Sequence, residues 1–188
     1  SDTETLLAAI EQWGLDKALK KSNGMFSIAL WDKKSKTLFL ARDRIGEKPL
    51  YYGWVNDQFV FASELKSLKK FPKFNNAIDR NSLALYLRFN SIPSPYSIYK
   101  DIYKIEPGQV VQLNSDSKIL KKYSFWSIEE VLKDGRKNRF TEAPQIIVNN
   151  LEHVLSNSIS SQMQSDVPLG AFLSGGIDSS TIVALMQS

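Results

Sequence analysis

The sequence predicts an α+β chain: successive antiparallel strands in a sheet covered on both sides, with helices, over residues 1–115, a hairpin end and linker over 116–145, and from 146–188 the first βα unit of a doubly wound α/β domain. Three features carry this reading. Apolar runs rich in β-branched and aromatic residues alternate with short polar turns through the first two-thirds of the chain. A polar, basic stretch follows Ser127. The chain then closes on a helical pattern, an apolar run, a Gly-Gly turn and a second helical pattern.

The elements follow in order. "SDTETLLAAIEQWG" sets Ser1 and Glu4 at capping-box spacing, places Leu6, Leu7, Ile10 and Trp13 on a helical period and stops at Gly14. Strands are expected at Met25 to Trp31 and Leu38 to Arg42, around a polar turn from Asp32 to Lys36. Both are apolar on both faces, which implies a sheet covered on each side. "PLYYGWVNDQFVFASE" is a further strand pair turning near Asn56 and Asp57, and a short helix capped at Ser63 follows it. A helix is expected after Asp79, a loop over "SIPSPYSIY", and a hairpin over "PGQVVQLNSDSKILKKYSFW" with Asn114, Ser115 and Asp116 in its turn. Between Ser127 and Gln145 lies the best linker. Beyond it, Ile147, Leu151, Val154, Leu155 and Ile159 share one helix face, "VPLGAFLS" reads as a short buried strand, and "SSTIVALMQ" as the last helix.

Composition narrows the chemistry. With 43% hydrophobic and 11% aromatic residues in 188, the chain can bury a core. The net charge of +4 comes from dispersed Lys and Arg rather than a basic stripe, so no nucleic-acid partner is expected. There is no cysteine, which excludes thiolate nucleophiles, thiolate metal sites and disulfides in these residues. The lone His153 lies in a helical pattern without a second histidine and reads as a helix side chain. No apolar run approaches membrane-spanning length and the start lacks a signal peptide, so a soluble, cytoplasmic chain is expected. Both ends look cut: Ser1 opens directly on a helix entry and Ser188 falls inside a young helix. Unpaired sheet edges would then favour association, a homodimer included.

"LSGGIDSS" holds the densest chemistry. Gly175 and Gly176 let the backbone turn tightly and aim N–H groups at an anion, the next helix adds its positive end, and Ser174, Ser179 and Ser180 offer hydroxyls. A bare carboxylate beside phosphate is repelled unless a cation intervenes, so Asp178 implies Mg²⁺ bridging to a nucleotide. The letters fit neither a Walker loop nor the G-x-G-x-x-G turn. "SGGIDS" resembles the pyrophosphate loop of the ATP pyrophosphatase superfamily, whose members adenylate an acceptor and release pyrophosphate. A glycine-containing strand-to-helix turn is the bland alternative.

"GMFSIALWDKKSKTLFLARDRIGEKPLYYGWVNDQFVFASELKSL" closely resembles the class II glutamine amidotransferase domain of glutamine-hydrolysing asparagine synthetases, and "YLRFNSIPSPYSIYKDIYKIEPG" and "SDVPLGAFLSGGIDSS" continue the likeness. Only Trp126 to Pro144 lacks a recognisable counterpart. The resemblance implies an N-terminal-nucleophile sandwich followed by an ATP pyrophosphatase-type synthetase domain. It implies a cysteine nucleophile and an N-G-E motif, neither of which is present, so the chain is expected to be an inactive fragment of such an enzyme. "SDTET" matches the family's entry to the helix after N-G-E; the resemblance makes Asp2 the partner of the glutamine α-amino group, whereas the residues alone make it a helix cap. It further implies that the Leu173 backbone meets the adenine of ATP, and that Ser174, Gly175, Gly176, Asp178 and Ser179 hold pyrophosphate and Mg²⁺. Arg42, Asp43, Arg44 and Lys48 read as structural, with Asp43 free to pair with either neighbour, and Glu64 as a helix-start carboxylate. The expected reaction is amidation of aspartate through aspartyl-AMP, using glutamine and ATP. Two alternatives stand beside it: a relative acting on another carboxylate, such as a sugar uronic acid or β-lactam precursor, and a non-catalytic module.

Overall fold

In the computed structural model, which describes residues 1–187, the chain divides into two compact units, Ser1–Leu132 and Lys133–Ser188.

The first unit opens with α1 (Asp2–Trp13). The Ser1 hydroxyl accepts the Glu4 N–H at 3.4 Å while the Glu4 side chain reaches back to the Ser1 backbone, so the expected capping box forms. Gly14, at φ 79°, ends this helix and also begins α2 (Leu15–Lys21), which the sequence reading did not assign. "LDKALKK" offers only Ala18 and Leu19 as a fully buried pair inside a charged segment, too short for a legible period.

Seven strands follow: β1 (Ser27–Asp32), β2 (Thr37–Arg42), β3 (Tyr51–Val55), β4 (Gln58–Ala62), β5 (Ile102–Lys104), β6 (Gln109–Asn114) and β7 (Leu120–Ser124). They form two antiparallel sheets, one ordered β1-β2-β6-β7 and the other β4-β3-β5. The expected turns hold the hairpins. Asp32 takes the Ser35 hydroxyl at 2.6 Å and the Lys34 N–H at 2.9 Å, Asn56 adopts a positive φ of 53°, and Asn114 Oδ1 accepts the N–H groups of Asp116 and Ser117. The three-residue β5 was not anticipated; it emerges from the proline loop with too few residues to alternate visibly.

The register of β2 against β6 explains the layers. Leu40 pairs with Val111 and, on the opposite face, Ala41 pairs with Val110. Leu40 and Val111 pack with Leu50, Tyr52 and Ile105, whereas Ala41 and Val110 pack with Leu19 of α2 and Phe125. This period-2 division buries both faces of the central strands, between the second sheet and a helix. Each buried Leu or Val side chain contributes about 1.5–3 kcal/mol. β1 departs from the expectation of full cover: it lies at the edge of its sheet, and Trp31 remains 46% exposed. Its apolar letters matched those of β2, but an edge position halves the neighbours available to bury them.

The short helix α3 (Leu65–Leu68) begins one residue later than expected, with Glu64 at its cap and no side-chain cap bond. The helix α4 (Arg80–Phe89) is capped as read, Asp79 accepting from Asn81 and Ser82. A further helix, α5 (Ile128–Lys137), occupies the polar stretch read as linker. Its signal was present but faint: Ser127 Oγ takes the Glu129 N–H, acids fill the first turn and bases the last.

In the second unit α6 (Pro144–Gln162) and α7 (Ile177–Gln187) form as expected. The buried strand read into residues 167–174 does not form. This segment joins no ladder, Val167 lies in a bend, and Val167 and Phe172 are exposed. Among the described residues no strand lies beside it, so its apolar letters lack the hydrogen-bonding partner that would make them a sheet.

Candidate functional site

Asp2 stands in the first turn of α1, where its Oδ1 accepts the Thr3 N–H at 2.8 Å. It is exposed, and it borders a cavity of about 540 Å³ whose walls include Ser22 and Asn23 after α2, Phe26, Ser27 to Ala29 along β1, and Lys48. The lining thus includes one acidic and one basic residue, Asp2 and Lys48, beside apolar Leu6, Met25, Phe26 and Ile28. That pairing suits a zwitterionic small molecule.

Two buried charges shape the wall. Asp43 is 1% exposed and accepts four backbone N–H groups: Gly46 at 2.7 Å, Glu47 at 2.9 Å, Lys48 at 3.0 Å and Phe26 at 3.3 Å. Burial pushes its carboxyl up, and the N–H groups of Lys48, Glu47, Gly46 and Phe26 together outweigh burial and hold it below the usual value. Arg42 does the converse for the same turn. It donates to the carbonyls of Lys48 at 2.8 Å, Ile105 at 2.7 Å and Gly46, and to Ser94 Oγ at 3.3 Å. The expected pairing of Asp43 with a neighbouring arginine does not occur among the described residues, because both charges are taken by main chain. Arg44 instead donates to the carbonyls of Ser22 and Lys20 at 2.6 and 2.5 Å. The structural reading of this cluster thus acquires a purpose: Asp43 binds Phe26 and Lys48, two residues of the cavity wall. Glu64 forms an ion pair with Lys66 at 2.5 Å, on the surface.

The second candidate is the loop before α7. Gly175 adopts φ 78°, a conformation costly for other residues. The hydroxyls of Ser174 and Ser179 share a hydrogen bond at 2.9 Å, and the Gly176 carbonyl accepts the Ser179 hydroxyl at 3.1 Å and the Ser180 N–H at 3.0 Å. The first N–H groups of α7, as at any helix start, have no acceptor within the helix, and Asp178 lies in that same turn. Leu173 and Asp178 are exposed and Ser179 half-buried. Donors, hydroxyls and one carboxylate at a helix start are the set that phosphate with a bridging divalent cation would use. His153 lies on α6 with Nε2 3.1 Å from Asn157 Nδ2, as a helix side chain would. Among the described residues no cluster of three His, Cys, Asp or Glu could hold a metal by itself, and no helix is long and apolar enough to cross a membrane.

The sequence nominates Asp2 and the glycine loop as candidates, and the cavity wall beside Asp2 comes only from the fold. Phe26 and Lys48 belong to motifs read in the sequence, and only the fold brings them to Asp2.

Two layers of antiparallel sheet flanked by helices, with a cavity beside the edge strand, define an α+β domain. The profile of the glutamine amidotransferase domain family matches residues 1–126, and the chain belongs to that family. The asparagine synthase profile matches residues 150–188. A putative glutamine-hydrolysing asparagine synthetase 2 from Methanocaldococcus jannaschii is 37% identical across 100% of this chain and 35% of its own length. Asparagine synthetase 1 (glutamine-hydrolysing) from Bacillus subtilis is 39% identical across 100% of this chain and 28% of its own. The chain thus spans well under half the length of these curated relatives. A solved glutamine phosphoribosylpyrophosphate amidotransferase from B. subtilis aligns with TM-score 0.42 and 21% identity over 67% of this chain and 23% of that one. The fold assignment rests on the strands and layers described above.

Proposed function

We propose that this chain is part of an ATP-dependent, glutamine-hydrolysing asparagine synthase. The observation that carries the reading is the succession, in one chain, of a glutamine amidotransferase match over residues 1–126 and an asparagine synthase match over 150–188. The proposed division is a glutaminase part over 1–115, a connecting segment over 116–145 and the start of the synthetase part from 146. Glutamine is hydrolysed to glutamate and ammonia. Aspartate attacks ATP to give β-aspartyl-AMP and pyrophosphate, and ammonia then displaces AMP to give asparagine.

The residues divide the work accordingly. Asp2 receives the α-ammonium of glutamine in the cavity whose wall Asp43 fixes, a charge-assisted contact that orients the amide. These residues contain no cysteine, so the nucleophile that attacks the amide is not among them. In the glycine loop, Gly175 and Gly176 turn the backbone so that N–H groups face the β- and γ-phosphates, Ser174 and Ser179 add hydroxyl donors, and the Leu173 backbone meets the adenine. Asp178 would hold Mg²⁺, which when bound would offset negative charge on the phosphates. The enzyme is proposed to act in the cytoplasm, as a homodimer, on small molecules alone.

The reading is tested on the full-length protein by following pyrophosphate release with ATP and a panel of acids. Release that depends on aspartate supports it; release with another acid and none with aspartate would identify a different acceptor.

A further inference from the structure

Asn23 and Gly24 form the chain's single Asn-Gly step, in the segment between α2 and β1 that belongs to neither helix nor strand. Both residues are exposed, and Gly24 has a φ of 96°. Glycine leaves the backbone nitrogen after an asparagine unhindered, and such a nitrogen can close on the side-chain amide carbon. Two further features single out this asparagine. Arg44 Nη1 donates to Asn23 Oδ1 at 3.3 Å, which draws electron density from the amide carbon. That guanidinium is itself fixed, by the Ser22 carbonyl at 2.6 Å and the Lys20 carbonyl at 2.5 Å. Among the described residues no acceptor restrains Asn23 Nδ2 beyond its own conformation.

We propose that Asn23 is a site of spontaneous deamidation, promoted by the Arg44 guanidinium, that changes the charge of the Asp2 cavity. Hydroxide removes the Gly24 N–H proton and the nitrogen attacks Asn23 Cγ. The new N–Cγ bond replaces Cγ–Nδ2, and ammonia leaves with a proton from water. Water then opens the resulting succinimide at either carbonyl, giving aspartate or isoaspartate at position 23. No oxidant or reductant is needed. Because Asn23 and Asp2 border the same cavity, the product sets a second carboxylate there, and the isoaspartate form also lengthens the main chain beside Phe26. The chemistry stands whether or not the cavity binds glutamine.

The test compares the full-length protein with a synthetic peptide of residues 20–27, both held at mildly alkaline pH. Mass spectrometry of the tryptic peptide Ser22–Lys33 reads the amide-to-acid shift, and chromatography separates aspartate from isoaspartate. Conversion at Asn23 in the folded chain at or above the peptide's rate, with the asparagines elsewhere still amides, is the expected result. A folded chain that converts more slowly than the peptide would overturn the role of Arg44, and persistence of the amide would overturn the site. Asn23→Gln is expected to lose the signal, because closure would require a larger ring; a shift that survives this substitution would place the reaction elsewhere.

Discussion

Arg42 Nη1 donates to the Ile105 carbonyl at 2.7 Å, tying the end of β2 to the segment after β5 across 63 positions of sequence. The same side chain takes the carbonyls of Lys48 and Gly46, so one buried guanidinium satisfies three main-chain carbonyls, two of them in the turn after β2. Arg42→Met keeps the stem and removes the donors. Leaving a buried acceptor unpaired costs about 1–3 kcal/mol, and charged donors sit at the upper end. The variant is expected to lose about 3 kcal/mol, read as a fall in the urea midpoint with an unchanged slope.

Asp43 gives the chain an acid sensitivity. Its folded pKa is depressed below the ordinary carboxyl value of 3.8, so in that range the unfolded state binds the extra proton. Its contribution is complete above 3.8 and is lost as pH falls through the folded value. Asp43→Asn is expected to lower stability at neutral pH by about 1–3 kcal/mol and to flatten the acid limb of stability against pH. A parallel acid limb in wild type and variant would assign it to other carboxylates.

Gly108 joins the loop after β5 to β6, with φ 67°, and donates its N–H to the Asp43 carbonyl at 2.9 Å. A Cβ there would collide with the Trp126 carbonyl. Gly108→Ala combines a positive φ with a backbone clash and is expected to cost about 2–4 kcal/mol, visible as a lowered Tm.

The sandwich was legible because its strands carry both the period and the turn chemistry: Asp32, Asn56 and Asn114 sit where the hairpins turn, and Leu40 and Ala41 announce two buried faces. What was not legible depends on neighbours. Trp31 matches a buried strand letter for letter, yet β1 is an edge; "VPLGAFLS" reads as a strand, yet nothing among the described residues pairs with it. The candidate site divides in the same way. The glycine loop announces itself locally and Asp2 only through the family resemblance of "SDTET", whereas Lys48 and Phe26 reach the cavity through the N–H groups that Asp43 collects.

If Asp2 binds the glutamine ammonium, Asp2→Asn in the full-length protein removes a charge-assisted contact worth about 1.5–3 kcal/mol. The KM for glutamine is then expected to rise by about one to two orders of magnitude, while synthesis from added ammonia stays intact. Equal loss with both nitrogen sources would place Asp2 in a structural role.

Asp178→Asn addresses the other end of the reaction. Removal of the carboxylate is expected to weaken the dependence on Mg²⁺ and lower aspartate-dependent pyrophosphate release by about two orders of magnitude, with glutamine hydrolysis retained. Wild-type pyrophosphate release would remove Asp178 from the phosphate site.

The central claim, that one protein joins glutamine hydrolysis to ATP-driven amidation, is tested most directly by nitrogen transfer in the full-length protein. Glutamine labelled at its amide nitrogen is supplied with aspartate, ATP and Mg²⁺. The account predicts asparagine carrying the label in its side-chain amide, with glutamate, AMP and pyrophosphate formed in equal amounts. Pyrophosphate and glutamate released without labelled asparagine would contradict it.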